Sequence, residues 1–443
     1  MASEAEKYSW DSSSYMARAA PPRGVRGMYS RPVVQVVMLG FVCFMCPGLF
    51  NALNGLGAGG QLDARTSASA NAALYLAFAV SAFFAGFRAM NIHQDASKFV
   101  IAAGAVLGIC AGMLWTAQGS LMLSYPQEHQ KGRFIGIFWA IFNLGGIVGA
   151  AVSLGANYNS RITFLVLTSI GVLIPLLMVD PRSMVRSDGS RLANPRHPSW
   201  KNEFYGLYIT VKTDPMILML FPMFFVSNWF YTWQFNDYNA AIFNIRARSL
   251  NNLVYWVAQV IGSVSIGILL DQHRLPRRLR AFAGWSILFC MIFVVHIWAY
   301  FYQRTYTREV RPSYDIYDSK YVGYILCYVF MGIFDAMWQT TTYWLIGAMS
   351  NDAAKLAHFA GFYKSLQSAG AAAGWYADYK RVPYMHLFLS EWCLLVAGLV
   401  FALPMVHLRV KDHTTLQDET LARMDDSGRI ASVDETYSLR DAS

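Results

Sequence analysis

Long apolar runs, each closed off by a cluster of polar or charged residues, recur along most of this chain. About eleven of them are long enough to cross a hydrocarbon layer of roughly 30 Å as a helix. They fall at residues 32–53, 69–87, 99–123, 134–154, 162–179, 215–233, 250–270, 281–302, 321–349, 356–375 and 384–407. A long polar segment, 180–212, interrupts the series with Arg182, Arg186, Arg191, Arg196, Pro181, Pro195, Pro198 and a Ser187-Asp188-Gly189 turn, and reads as a linker. Beyond Arg409 the apolar runs stop, and the acidic, Ser and Thr residues that follow cannot bury enough surface to fold. The expected organisation is a polar tail (1–31), a first helical bundle (32–180), a basic linker (181–213), a second bundle (214–408) and a disordered tail (409–443).

Composition agrees with the pattern: 55% hydrophobic, 15% aromatic and 14% charged residues exceed what a soluble globule tolerates. The expected class is an all-α, multi-pass protein integral to a lipid bilayer, in the plasma membrane or an endomembrane. A formal charge of +9 alone would suggest nucleic acid, but the Lys and Arg residues sit between apolar runs, where membrane topology accounts for them. All six cysteines lie inside apolar runs and read as packing or lipid-facing residues. The first run has no small-residue cleavage site, so it is expected to be a span and not a removable signal. Neither a phosphate-binding loop, a dinucleotide fingerprint nor metal-ligand spacing is present, so no enzyme activity and no cofactor are expected.

The loop charges and the runs disagree in number. Positive loops resist translocation, which places both the tail with Arg18, Arg23, Arg26 and Arg31 and the Arg-rich linker on the cytoplasmic side. That requires an even number of spans between them, and about five are found. An internal repeat locates the deficit. Phe134-x-Gly136-Ile137-Phe138 matches Phe359-x-Gly361-Phe362-Tyr363, and each follows a run with Gly-Ile and a Trp near a Gln: Gly108-Ile109, Trp115 and Gln118, then Gly332-Ile333, Trp338 and Gln339. Aligning the repeats puts a missing turn and helix between Phe87 and Phe99.

The turn after Leu270 reads Gly267-Ile-Leu-Leu-Asp271-Gln-His-Arg-Leu-Pro-Arg277-Arg278 and resembles the signature loop of the major facilitator superfamily. There Gly267, Asp271, Arg277 and Arg278 would form a cytoplasmic latch, the carboxylate pairing with basic residues or facing helix N-terminal dipoles. Three further segments resemble the fungal branch of the Unc-ninety-three-like family: Asn51-Ala-Leu-Asn-Gly-Leu-Gly-Ala-Gly-Gly, Phe138-Trp-Ala-Ile-Phe-Asn-Leu-Gly-Gly and Asn228-Trp-Phe-Tyr-Thr-Trp-Gln-Phe-Asn-Asp-Tyr-Asn. The resemblance implies two pseudo-repeated six-helix bundles, about twelve spans of which this chain shows about eleven. It implies no substrate, since fold transfers better than function. Three readings stand: a secondary transporter moving an unknown small molecule or ion by alternating access, a non-transporting regulator or trafficking partner of another membrane protein, and a truncated, non-functional isoform.

A charge at the bilayer centre costs roughly 2.5–3.5 kcal/mol even on lenient scales, so intramembrane charges are the first functional candidates. Asp335 and Lys364 are the clearest, and a salt bridge between them is geometrically allowed. They read either as a substrate or coupling pair, or as a buried ion pair that fixes helix register. Trp338, Gln339, Thr340 and Gln367 surround them in sequence and would serve a polar ligand or hydrogen bonding between helices. Asn236 and Asp237, beside Asn228, Trp229 and Trp233, are candidates for an outer mouth. Glu391 has no assigned role, and no His, Asp and Glu arrangement reads as a complete proton relay. Gly145 with Gly149, and Gly370 with Gly374, are spaced for close helix approach.

Overall fold

A computed structural model describes residues 24–55, 68–69, 71–77, 96–155, 174–179, 200–272 and 274–415, with positions 418, 430 and 432. The principal helices are α1 (Pro32–Gly48, continued by Leu49–Gly55), α2 (Ala96–Ser124), α3 (Lys131–Gly155), α4 (Trp200–Thr213), α5 (Pro215–Ala240), α6 (Ile245–Leu270), α7 (Arg277–Gln303), α8 (Tyr321–Met349), α9 (Ala353–Tyr379) and α10 (Tyr384–Leu408). Among the described residues, 7 helices are long and apolar enough to cross a membrane: α2, α3, α5, α6, α7, α8 and α10. α1 is shorter. α9 is long enough, at 27 residues, but carries Lys355, Lys364, Gln367 and Asp378, all buried. A helix enclosed by other helices does not need an apolar face for lipid. The expected spans 69–87 and 162–179, and the expected gap between Phe87 and Phe99, lie largely outside the described residues.

Lipid-facing surfaces are legible on the outside of the bundle. On α6, Val257, Ile261, Val264 and Ile268 are exposed at helical spacing, a stripe that water would penalise and hydrocarbon does not. Helix starts are set locally: Asn244 accepts from the Ala247 amide at 3.0 Å to cap α6, Asp352 accepts from Ala354 at 3.0 Å to cap α9, and Pro276 and Pro383 precede α7 and α10.

The two halves meet along two seams, α3 against α6 and α2 against α9, while α6 also packs on α8 and α5 packs on α9 and α10. In lipid, helices gain little from burying apolar surface against each other, so close backbone approach and interhelical hydrogen bonds carry the association. Gly370 is the tightest case, since a Cβ there would collide with the Phe225 carbonyl oxygen of α5. Gly145 on α3 likewise meets the backbone of Phe44 on α1.

Three expectations change. The fifth helix does not stop at Trp233. Pro215 and Pro222 and the Ser227 hydroxyl, which donates to the Met223 carbonyl at 2.8 Å, break it into short pieces, and it continues as a π-helix, Trp233–Ala240. Apolarity ends early because that last stretch is enclosed by protein: Gln234, Asp237 and Asn239 are all buried. Asn228 and Trp229 therefore lie mid-span and are not interface anchors. The polar linker is helical from Trp200, with Tyr205 and Tyr208 exposed and the Thr210 hydroxyl 3.0 Å from His358 Nδ1. The segment beyond Arg409 is anchored at its start: Val410 is buried, and Thr414 donates both its amide (2.9 Å) and its hydroxyl (2.8 Å) to Glu128.

Candidate functional site

Lys364 sits where α9 meets α2, at the seam between the halves. Its ammonium lies over the rings of Trp115 (4.5 Å to the centroid), Tyr363 (4.9 Å) and Tyr343 (5.1 Å), and donates to Gln367 Oε1 at 2.8 Å. Trp115 belongs to the first half and the other three to the second. Aromatic faces stabilise a desolvated cation without neutralising it. Among the described residues no carboxylate forms an ion pair with Lys364, so the allowed bridge to Asp335 is not made.

Asp335 is satisfied by neutral donors instead. Its carboxylate accepts from Gln259 Nε2 (2.6 Å), the Tyr255 hydroxyl (3.2 Å) and Gln339 Nε2 (3.4 Å), two of them from α6. These donors draw the carboxylate toward α6 and away from the ammonium on α9, which is the physical reason that the pair stays apart. Gln339 in turn accepts from Gln367 Nε2 (2.9 Å) and from the Tyr363 hydroxyl, and both amides reach Asn228 of α5. The structure thus brings Asp335, Gln339, Gln367 and Lys364 into one polar layer. Trp338 does not join it: its indole donates to the Ser227 hydroxyl at 2.9 Å inside the second bundle. Thr340 is buried, and its hydroxyl has no partner among the described residues.

The first half presents mostly rings. Trp115, Phe138, Trp139 and Phe142 form one aromatic cluster, and Trp139 reaches Tyr343 of the second half with centroids 6.2 Å apart. Gln118 accepts from the Tyr343 hydroxyl at 3.1 Å. Asn143, one helical turn beyond Trp139 on the same face of α3, is fully buried, yet neither amide atom has a hydrogen-bond partner among the described residues. The Trp139 indole N–H also has none. Buried polar atoms are nearly always paired, so two orphans on one face point to a place that a ligand or water occupies.

Contacts join the two halves at both ends of the seam. At the basic end Asp271 accepts from the Gly132 amide at 2.8 Å and from the Arg133 amide, so its charge faces the N-terminus of α3. Gly267 lies against Gly132 and Gly136 of the same helix. Arg277 pairs with Glu128 and donates to the Ala348 carbonyl at 2.8 Å, and Lys131 donates to the carbonyls of Gly347 (2.6 Å) and Ser350 (2.8 Å). The Arg278 guanidinium lies 3.0 Å from His407 Nδ1, and its backbone amide donates to Asp412 at 3.3 Å. At the opposite end Asn252 donates to the Ala52 carbonyl (2.7 Å) and Asn239 to that of Gly55 (3.0 Å). Near that end Asn236 donates to Asp378 at 2.8 Å, and Arg308 lies 2.7 Å from Asp378 and 3.6 Å from Asp237.

Sequence reasoning missed a polar chain inside the second bundle. From Asp335 the Tyr255 hydroxyl leads to Gln234 Oε1 (2.8 Å), Gln234 Nε2 to Glu391 Oε1 (3.5 Å), and the same oxygen to His296 Nε2 (3.3 Å). One residue comes from each of α8, α6, α5, α10 and α7. One signal was available. Glu391 and His296 are lone polar residues in apolar spans, each about 10 Å from the helix end they share a level with, at a rise of about 1.5 Å per residue.

The fold and this seam define a multi-pass membrane protein of a transporter superfamily: the sequence profile described as Major Facilitator Superfamily matches residues 44–375. A bacterial homologue of the iron transporter ferroportin, solved in an outward-facing state, shares the fold with a TM-score of 0.54 at 10% identity, over 84% of this chain and 98% of that one. The chain is 41% identical over 430 residues to an UNC93-like protein of Schizosaccharomyces pombe, covering 88% of this chain and 85% of that protein. It is 35% identical over 422 residues to UNC93-like protein 1 of Arabidopsis thaliana, covering 87% and 92%. The chain belongs to the UNC93-like family of the major facilitator superfamily.

Proposed function

We propose that this protein is a secondary transporter for a small organic anion, moved by alternating access between its two halves with the basic end toward the cytoplasm. The observation that carries this reading is Lys364: a buried cation at the seam, held by rings from both halves and by one amide, with no carboxylate in ion-pair contact among the described residues. A buried charge without a partner is costly, and a ligand that brings an anionic group would offset that cost in the loaded state. The aromatic cluster of Trp115, Trp139 and Phe142 would cover a flat or apolar body, and Asn143 and Trp139 would supply polar contacts from the first half. Contact at both ends fits an occluded step, in which the Asp271 latch and the Asn252 contact release in turn.

The test is counterflow in proteoliposomes holding the purified full-length protein, using pools of labelled organic anions, beside Lys364→Gln at matched membrane level. Flux that depends on Lys364 is expected. Flux that is equal in both proteins would remove the anion reading. Absence of any flux, together with a membrane protein that copurifies with the wild type, would support the regulator reading in place of transport.

A further inference from the structure

We propose that Glu391 and His296 form a proton-binding site within the second bundle, joined through Gln234 and Tyr255 to Asp335. The argument is one of hydrogen counting. His296 Nδ1 lies 2.8 Å from the Ile292 carbonyl oxygen, which offers only lone pairs, so Nδ1 carries a hydrogen. The other ring nitrogen, Nε2, lies 3.3 Å from Glu391 Oε1. With a neutral ring and an ionised glutamate, two lone pairs would face each other in a region where both side chains are buried. One proton therefore belongs between them, on the ring as an imidazolium beside a carboxylate, or on the glutamate beside a neutral ring. Glu391 Oε2 has no partner among the described residues, a cost that is smaller for the carbonyl oxygen of a protonated carboxyl, as in the second state, than for a carboxylate oxygen.

The link to Asp335 rests on the same counting. Tyr255 has one hydroxyl hydrogen and two acceptors, Gln234 Oε1 at 2.8 Å and Asp335 Oδ2 at 3.2 Å. When Asp335 holds a proton it donates to the Tyr255 oxygen, and Tyr255 donates onward to Gln234. When Asp335 is ionised the Tyr255 hydrogen turns to it, and Gln234 loses a donor. Gln234 also contacts Glu391, so the protonation of one carboxyl alters the hydrogen bonding of the other.

The surroundings define what else can titrate there. Toward Glu391, α7 presents His296 and α5 presents Asp237, which shares Arg308 with Asp378 of α9. Around Asp335 stand Tyr231 of α5, Tyr255 of α6, Lys364 of α9 and Tyr75 of the first half. Depth orders the chain: Glu391 and His296 lie about 10 Å, and Asp335 about 21 Å, from the ends of their helices opposite the latch. The pair thus lies nearer that end than Asp335 does.

Proton binding is read without any substrate, so the test is independent of the transport reading. Infrared difference spectra of the full-length protein in nanodiscs, taken from about pH 4 to about pH 9, should show a buried carboxylic-acid carbonyl band that grows as pH falls and shifts in heavy water. Glu391→Gln should remove one component. His296→Gln should raise the midpoint of that component by about one pH unit or more, because the carboxylate loses its cationic partner. Tyr255→Phe should displace the midpoints of both carboxyls. A wild-type protein that shows neither this band nor an imidazolium ring band anywhere in the pH range overturns the proposal without recourse to any variant. A band indifferent to both Glu391→Gln and His296→Gln overturns the assignment to the pair, and a Tyr255→Phe spectrum identical to wild type overturns the link.

Discussion

At the seam the second half presents Asp335, Lys364, Gln339 and Gln367, tied to one another and to α5 and α6, whereas the first half presents Trp115, Phe138, Trp139 and Phe142 with Gln118 and Asn143 among them. The network of the second half is anchored within its own bundle. The contacts of the first half with it are mainly ring faces, whose energy changes little when they slide, plus single hydrogen bonds such as Tyr343 to Gln118. Two bundles that must separate and rejoin are better served by one rigid polar layer and one soft aromatic cover than by two interlocked networks, since every charged hydrogen bond across the seam would have to be broken in each cycle.

The comparison is broken most severely by removing its charge. Lys364→Gln takes away the cation that the second half offers to the seam, and the loss of a charged hydrogen bond of about 2–3 kcal/mol should lower transport efficiency roughly 30- to 150-fold, measured as initial flux over substrate concentration. Trp115→Leu, its counterpart in the first half, removes only one ring face of about 0.5–2 kcal/mol and should be milder in the same assay. Equal losses would mean that the two halves are not divided into charge and cover.

Packing separates the halves next. Gly370→Ala drives a methyl into the Phe225 carbonyl inside the second bundle and should cost about 1–3 kcal/mol, seen as a lower Tm of the purified protein. Gly136→Ala at the seam has no neighbour closer than 3.6 Å and should leave Tm within the scatter. If the two variants behaved alike, the bundle interior and the seam would be equally tight.

The latch predicts a smaller, conformational effect. Asp271→Asn keeps one acceptor for the α3 amides but removes the charge that faces the helix N-terminus, and the loss of about 1–1.5 kcal/mol should shift the closed-to-open ratio at the basic end roughly tenfold. Spin labels at Arg133 and Arg274, with exposed Cys110, Cys290 and Cys393 replaced, would report it as a second distance population. An unchanged distribution would remove Asp271 from the gate.

What was legible in the sequence follows from range. Asp271 stands in a local signature and the intramembrane charges Asp335 and Lys364 are conspicuous against apolar neighbours, so their candidacy could be read from a dozen residues each. Their separation could not, because it depends on Gln259 and Tyr255 arriving from another helix. The end of α5 was lost for a different reason: hydropathy reports the lipid-facing cost of a span, and Trp233–Ala240 is enclosed by protein. The chain from Asp335 to His296 draws one residue from each of five helices, and no spacing rule links positions 234, 255, 296, 335 and 391.

The smallest effect is the most discriminating. Asn143 is fully buried with both amide atoms unpaired among the described residues, a cost of about 1–3 kcal/mol when no other group pairs with it. Asn143→Leu, with the same branching and no polar atoms, should therefore leave thermal stability unchanged or raise Tm slightly, the reverse of most core substitutions. If Asn143 faces the substrate, the same variant should weaken flux while the fold gains. A fall in Tm would mean that the amide is satisfied in the membrane by water or lipid and serves packing alone. A stable variant with wild-type flux would show that the first half contributes only its rings, which would make the division between the halves more complete than the polar residues of α2 and α3 suggest.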